Sequence, residues 1–156
     1  MNAFMFFLEI ETLHVGLQFE KAPLHCTLMP CFKTDASADE IERYVKTVCR
    51  DYHPITMVAD REEFFGPERR IRVHSLKPNR DLSDLHLQLY DGLKTFNVQY
   101  EECQYCGPGY RMHVSACGKR AFSPGCVKTV EGVYLIQALN AERPDTKRVI
   151  SKISFG

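Results

Sequence analysis

Leu24-His25-Cys26-Thr27-Leu28 and, in the second half of the chain, His113-Val114-Ser115-Ala116 each set a histidine two places ahead of a hydroxyl residue inside an apolar run. Read as strands, residues two apart share a face and stand about 6.5 Å apart along the chain. Each stretch then offers one imidazole and one hydroxyl to the same side, while Cys26 with Leu28, and Val114 with Ala116, turn into the packed face. The spacing alone is a short pattern that chance supplies often, so its context decides. One copy falls in each half of the chain, and a fold of two similar halves would lay the two strands side by side across a cleft.

Outward from these stretches the sequence divides into strands and two helices. Phe4 to Ile10 and Leu24 to Phe32 read as strands, with Pro23 and Pro30 acceptable near strand ends or on an edge. Ser37-Ala38-Asp39-Glu40 has the form of a capping box, and Ile41, Tyr44, Val45 and Val48 form one apolar stripe behind it. That helix should stop near Asp51, because His53-Pro54 disfavours its continuation. Ile55 to Phe65 and Ile71 to Leu76 suit a hairpin turning at Gly66-Pro67. Leu82, Leu85, Leu89 and Leu93 recur at helical spacing between Asp81 and Lys94, with Asp81 as the expected cap and Asp84 in the first turn. Tyr110 to Cys117, Val127 to Leu139 and Lys147 to Phe155 read as strands. His14, His53 and His86 are placed in loops or on helix surfaces, and His74 at a strand end. The expected fold is α+β and bilobal: two pseudo-symmetric antiparallel-sheet lobes with outer helices and a central cleft, forming one domain over 1–156.

The chain has 156 residues, 44% apolar and 26% charged, which is ordinary globular composition. Twenty Lys plus Arg balance twenty Asp plus Glu, so no excess positive field exists to hold a long duplex. A nucleotide or short RNA is the expected ligand, and a monomer is favoured. Met1 to Leu8 is apolar but too short for a membrane span and lacks the basic start of a signal peptide, which suggests a cytoplasmic protein and no membrane partner. Seven cysteines is an odd number, which argues against a disulfide framework. Cys103 and Cys106 have zinc-ligand spacing with Cys117 and Cys126 further on, but the second pair is not closely spaced. The favoured reading therefore holds no metal and no cofactor.

Two histidines facing one cleft suit a phosphodiester. One neutral imidazole can take a proton from water or a ribose hydroxyl while the other, protonated, gives one to the departing oxygen. Thr27 and Ser115 can donate to non-bridging phosphate oxygens. Arg111 and Lys119, or Arg120, are charge candidates beside the second stretch. Of the aromatic residues that could stack on a base, Phe32, Phe65 and Tyr110, the one beside the second stretch is Tyr110.

The sequence resembles the two-histidine phosphoesterase superfamily, also called the 2′,5′ RNA ligase-like family, whose hallmark is a pair of His-x-Thr/Ser motifs. Leu24 to Leu28 is similar to the first motif and Gly107 to Ser115 to the second, including its glycine-aromatic lead into the strand. Phe64-Phe65-Gly66-Pro67 sits where many members carry a phenylalanine-glycine segment. The resemblance implies a bilobal fold with both motifs on central strands. It also implies metal-independent activity on 2′,3′-cyclic phosphates, 2′,5′-linked oligonucleotides or cyclic nucleotides, with His25, Thr27, His113 and Ser115 catalytic. Two departures stand out: serine replaces the commoner threonine in the second motif, and Glu11 to Pro23 leaves only about a dozen residues where members commonly carry a helix. The rival reading is a non-catalytic nucleotide- or RNA-binding module with the same cleft.

Overall fold

The computed structural model describes residues 1–156. One curled antiparallel sheet runs through it. Ten strands form it: β1 (Asn2–Glu9), β2 (Gln18–Phe19), β3 (His25–Thr34), β4 (Ile55–Phe65), β5 (Ile71–Leu76), β6 (Gln99–Tyr100), β7 (His113–Ser115), β8 (Val127–Val130), β9 (Gly132–Ala138) and β10 (Lys147–Ser154). Their spatial order is β2-β10-β9-β1-β3-β7-β5-β4-β8, with β6 added beside β3. The two motif strands are neighbours at the centre, joined by the Cys26–Val114 pair, with one half of the sheet on either side.

Helices α1 (Ala38–Cys49) and α2 (Arg80–Leu93) pack on the outer face. Ser37 and Glu40 close the capping box that starts α1, and Ile41, Val45 and Val48 enter the core. Leu82, Leu85, Leu89 and Leu93 of α2 join them. Cys26, Leu28 and Val114 reach the same core from the sheet, as alternation predicts. The opposite, inner face of β1 is closed by Leu13, Leu17, Phe19 and Ala22 from the β1–β3 connection, packed around Phe7 and Tyr134. That connection contains no helix, only β2 and turns, so the first lobe is trimmed at this point.

Five expectations need correction. Asn79, not Asp81, caps α2, its side-chain oxygen accepting from the Leu82 amide at 3.1 Å, while Asp81 lies in the first turn. The Tyr110 to Cys117 strand shrinks to His113–Ser115 because Gly107–Gly109 coils into a short 3-10 turn. Val127 to Leu139 divides at Glu131, since its first part pairs with β4 and its second with β1 and β10. His74 lies within β5 at 3% exposure. His86 is fully buried, because its position on α2 faces the sheet with the leucines. His14 and His53 are exposed, as expected.

Candidate active site

Each motif histidine is held by the same short bond. His25 Nδ1 donates to the Pro23 carbonyl at 2.8 Å, and His113 Nδ1 donates to the Arg111 carbonyl at 2.6 Å. A carbonyl only accepts, so each Nδ1 carries the proton and each Nε2 is left for chemistry. Packing fixes the ring planes: His25 stacks on Phe7 at 3.7 Å between centroids, and His113 meets Phe65 edge-on at 4.8 Å. Because Cys26 pairs with Val114 in an antiparallel register, Thr27 falls across from His113 and Ser115 across from His25.

A cleft of about 500 Å3 opens over these strands. Thr27, His113 and Ser115 line it, together with Phe65, Tyr105, Tyr110, Arg111 and Lys147. His25 is not part of its lining; it lies two residues before Thr27 at the start of β3. The cleft extends the other way along β3, past Pro30 and Cys31, to Tyr105.

The two imidazoles sit in different fields. Burial pushes His25 down to about 4, against the smaller upward effect of the Pro23 carbonyl, and the charges of His113 and Lys147 push the same way. Burial also lowers His113, as does the Arg111 charge, while its bond to the Arg111 carbonyl and the charge of Glu63 act to raise it. Only His113 has a carboxylate supporting its protonated form. Glu63 also holds Arg111 at 3.3 Å, and the Arg111 guanidinium lies 4.3 Å from the Phe65 ring.

Phe65 reaches this position because the chain turns at Gly66, whose φ of 80° and lack of a Cβ avoid a contact of 2.8 Å with Ile71. Of the other candidates, Arg111 lines the cleft and Lys119 does not. The chain folds back through the Cys117–Arg120 bridge, which leaves Lys119 exposed outside the cleft. Arg120 is tied to Glu11 at 2.6 Å. Lys147 supplies the second cation of the lining, from β10; nothing near the motifs in sequence pointed to it. Tyr110 lines the cleft, but its hydroxyl donates to the Thr27 carbonyl at 2.9 Å and one ring face is covered by His86 at 3.9 Å. Phe32 is core, at 0% exposure.

The cysteines do not gather. Cys103 is exposed, Cys106 buried, Cys117 half-buried and Cys126 exposed, and no three His, Cys, Asp or Glu side chains converge to hold a metal ion.

A family model described as the 2′-5′ RNA ligase superfamily matches residues 9–121, a span that contains both histidine motifs. The chain belongs to this superfamily. Its fold is shared by three solved structures, each covering 99% of this chain. TT0787 of Thermus thermophilus matches at 17% identity, TM-score 0.63 and 98% of its own length. LigT of E. coli, complexed with NADP+, matches at 16%, 0.62 and 97%. A phosphoesterase matches at 15%, 0.60 and 98%. No curated protein matches the chain. The chain places its motifs on adjoining central strands, and no helix is long and apolar enough to cross a membrane.

Proposed function

We propose that this protein is a metal-independent phosphodiesterase acting on a 2′,3′-cyclic phosphate, a 2′,5′-linked oligonucleotide or a cyclic nucleotide. His25 serves as general base and His113 as general acid. The observation that carries this reading is the matched pair of Nδ1 bonds to the Pro23 and Arg111 carbonyls on neighbouring strands, which leaves the Nε2 atom of each ring free for proton transfer. Binding alone would not require two imidazoles fixed in the same tautomer.

The roles follow from the fields around the rings. His25, with no carboxylate raising it and Lys147 weighing against its charge, stays neutral and accepts the proton of water or a ribose hydroxyl at Nε2. As that oxygen bonds to phosphorus, the bond to the leaving oxygen breaks. His113, supported by Glu63, gives its Nε2 proton to the oxygen that departs. Bound phosphate charge favours the protonated form of a neighbouring imidazole, which prepares the acid when substrate arrives. Thr27 and Ser115 donate to the non-bridging oxygens, and Arg111 and Lys147 offset their charge. A base then lies in the cleft near Phe65 and Tyr105, whose rings can stack without choosing among bases.

A nucleotide or short RNA suits a cleft of about 500 Å3 better than a duplex. The NADP+ on LigT is in keeping with a nucleotide ligand. The test is turnover of 2′,3′-cyclic nucleotides, 2′,5′-oligoadenylate and 3′,5′-cyclic dinucleotides in EDTA. Cleavage that survives EDTA and disappears with either histidine supports the reading. Binding without turnover across the panel would make the cleft a recognition module.

A further inference from the structure

The histidine that the mechanism does not use, His86, is buried at 0% exposure directly behind the motif strands. Both of its ring nitrogens are occupied. Nδ1 donates to the Leu28 carbonyl at 2.7 Å, and Nε2 accepts from the Gly107 amide at 2.9 Å. One ring therefore joins the residue after Thr27 to the turn that leads into the second motif. Its face lies against Tyr110 at 3.9 Å with planes 7° apart, and Tyr110 in turn donates to the Thr27 carbonyl at 2.9 Å. Two consecutive carbonyls of β3 are thus tied to the segment that carries His113.

Leu28 is a special position. Phe6 faces Met29 and Phe7 faces Thr27, so Leu28 is the extra residue of a β-bulge, and Leu28 and Met29 both enter the core. A bulge interrupts the ladder and re-aims the side chains beside it. It therefore frees backbone groups next to Thr27 to take partners from outside the sheet. Gly107 is shaped to fit this arrangement, with φ of 61° and Tyr90 2.6 Å from where a Cβ would stand.

We propose that His86 and Tyr110 are positioning residues that set the separation of the two motif strands, a reading that rests on the acid–base roles assigned above to His25 and His113. Between β3 and β7 themselves there is one residue pair, Cys26–Val114, so little of the ladder between them fixes their separation. The Tyr110 hydroxyl and the His86 ring add two further ties between β3 and the segment leading into β7. Neither side chain needs to touch the reacting phosphorus. A strand displaced by about 1 Å can cost roughly a hundredfold in rate while leaving ground-state binding largely intact.

The experiment compares wild type with Tyr110→Phe, His86→Leu and His86→Gln. Tyr110→Phe keeps the stacked ring and removes only the hydroxyl. His86→Leu removes both bonds, and His86→Gln restores one donor and one acceptor. Tyr110→Phe should lower kcat about tenfold or more with KM within about twofold of wild type. His86→Leu should lose more, and His86→Gln should regain part of that loss. Amide exchange around Cys26 and Val114 should quicken in Tyr110→Phe while exchange in β9 and β10 stays unchanged. A Tyr110→Phe variant with wild-type kcat and wild-type exchange overturns the proposal, and so does one whose KM rises at constant kcat, because Tyr110 would then be a substrate contact. If wild type cleaves nothing in the panel, the catalytic reading fails, and exchange at Cys26 and Val114 still decides whether the two residues hold the strands.

Discussion

Replacing His25 with Phe, alone and together with His113→Ala, probes the acid–base pair. Phe keeps an aromatic ring in the stack on Phe7, now 3.7 Å from His25, so the packing is largely preserved while both nitrogens go. A positioned acid or base contributes about 10² to 10⁴ in rate, or roughly 2.7 to 5.4 kcal/mol of transition-state stabilisation. Each single variant should lose kcat within that range. Because both imidazoles serve one phosphorus in one transition state, the double variant should fall no further than about the worse single. The pH dependence carries the assignment. A base must be neutral, so kcat/KM should rise as pH climbs through about 4, the value to which burial brings His25. An acid must be protonated, so kcat/KM should fall as pH passes the value of His113, which burial holds below the ordinary histidine range. Values of kcat/KM from pH 3 to 8, measured with substrate well below KM and with melting temperatures confirming the fold, give both limbs. His25→Phe should abolish the acidic limb and spare the alkaline one. An acidic limb that persists in His25→Phe, or losses that multiply in the double variant, would refute the pairing.

Thr27→Val is nearly isosteric and removes one donor to the phosphate; it should lower kcat about 10²-fold, and Ser115→Ala should act in the same direction, both read against unchanged circular dichroism. Glu63→Gln removes a charge that raises His113, so the alkaline limb of the kcat/KM profile should move to lower pH while the limb from His25 stays in place. Lys147→Ala should raise KM for every substrate that is cleaved, since this cation lines the cleft and lies outside the pair that transfers protons. Ser37→Ala opens the capping box of α1 and should cost about 1 kcal/mol, seen as a fall of about 2 to 4 °C in Tm with kcat unaltered.

The parts of the fold legible in the sequence are those governed by local periodicity. The capping box at Ser37, the leucine stripe of α2 and the hairpin around Gly66 depend on neighbours three or four residues away, and the structure holds each of them. The inward turn of Cys26 and Val114 follows from strand alternation alone. Burial of His86 is open to the same reading, since helical spacing places it on the stripe of Leu82 and Leu89, but its partners are not: the Leu28 carbonyl and the Gly107 amide come from distant segments. The bulge at Leu28 is hidden as those partners are, since it arises from pairing with β1 rather than from any glycine in β3. Lys147 and Phe7 enter the site from strands β10 and β1, which only the sheet order brings beside the motifs. Lys119 shows the converse error: nearness in sequence to His113 counted for less than the turn at Gly118 that carries it away.

The single pair between β3 and β7 has a physical reason. Side chains directly opposite each other in a continuous antiparallel ladder have Cβ atoms only about 4.5 to 5.5 Å apart. Thr27 facing His113, and His25 facing Ser115, at that separation along a full ladder would leave no room for a tetrahedral phosphate among them. Parting the strands after one pair opens that room, at the loss of ladder bonds that would otherwise fix their relative position. An acid and a base acting on one phosphorus tolerate little freedom in that position. The lost ties therefore have to be replaced from outside the ladder, and the carbonyls of Thr27 and Leu28 are where the fold replaces them.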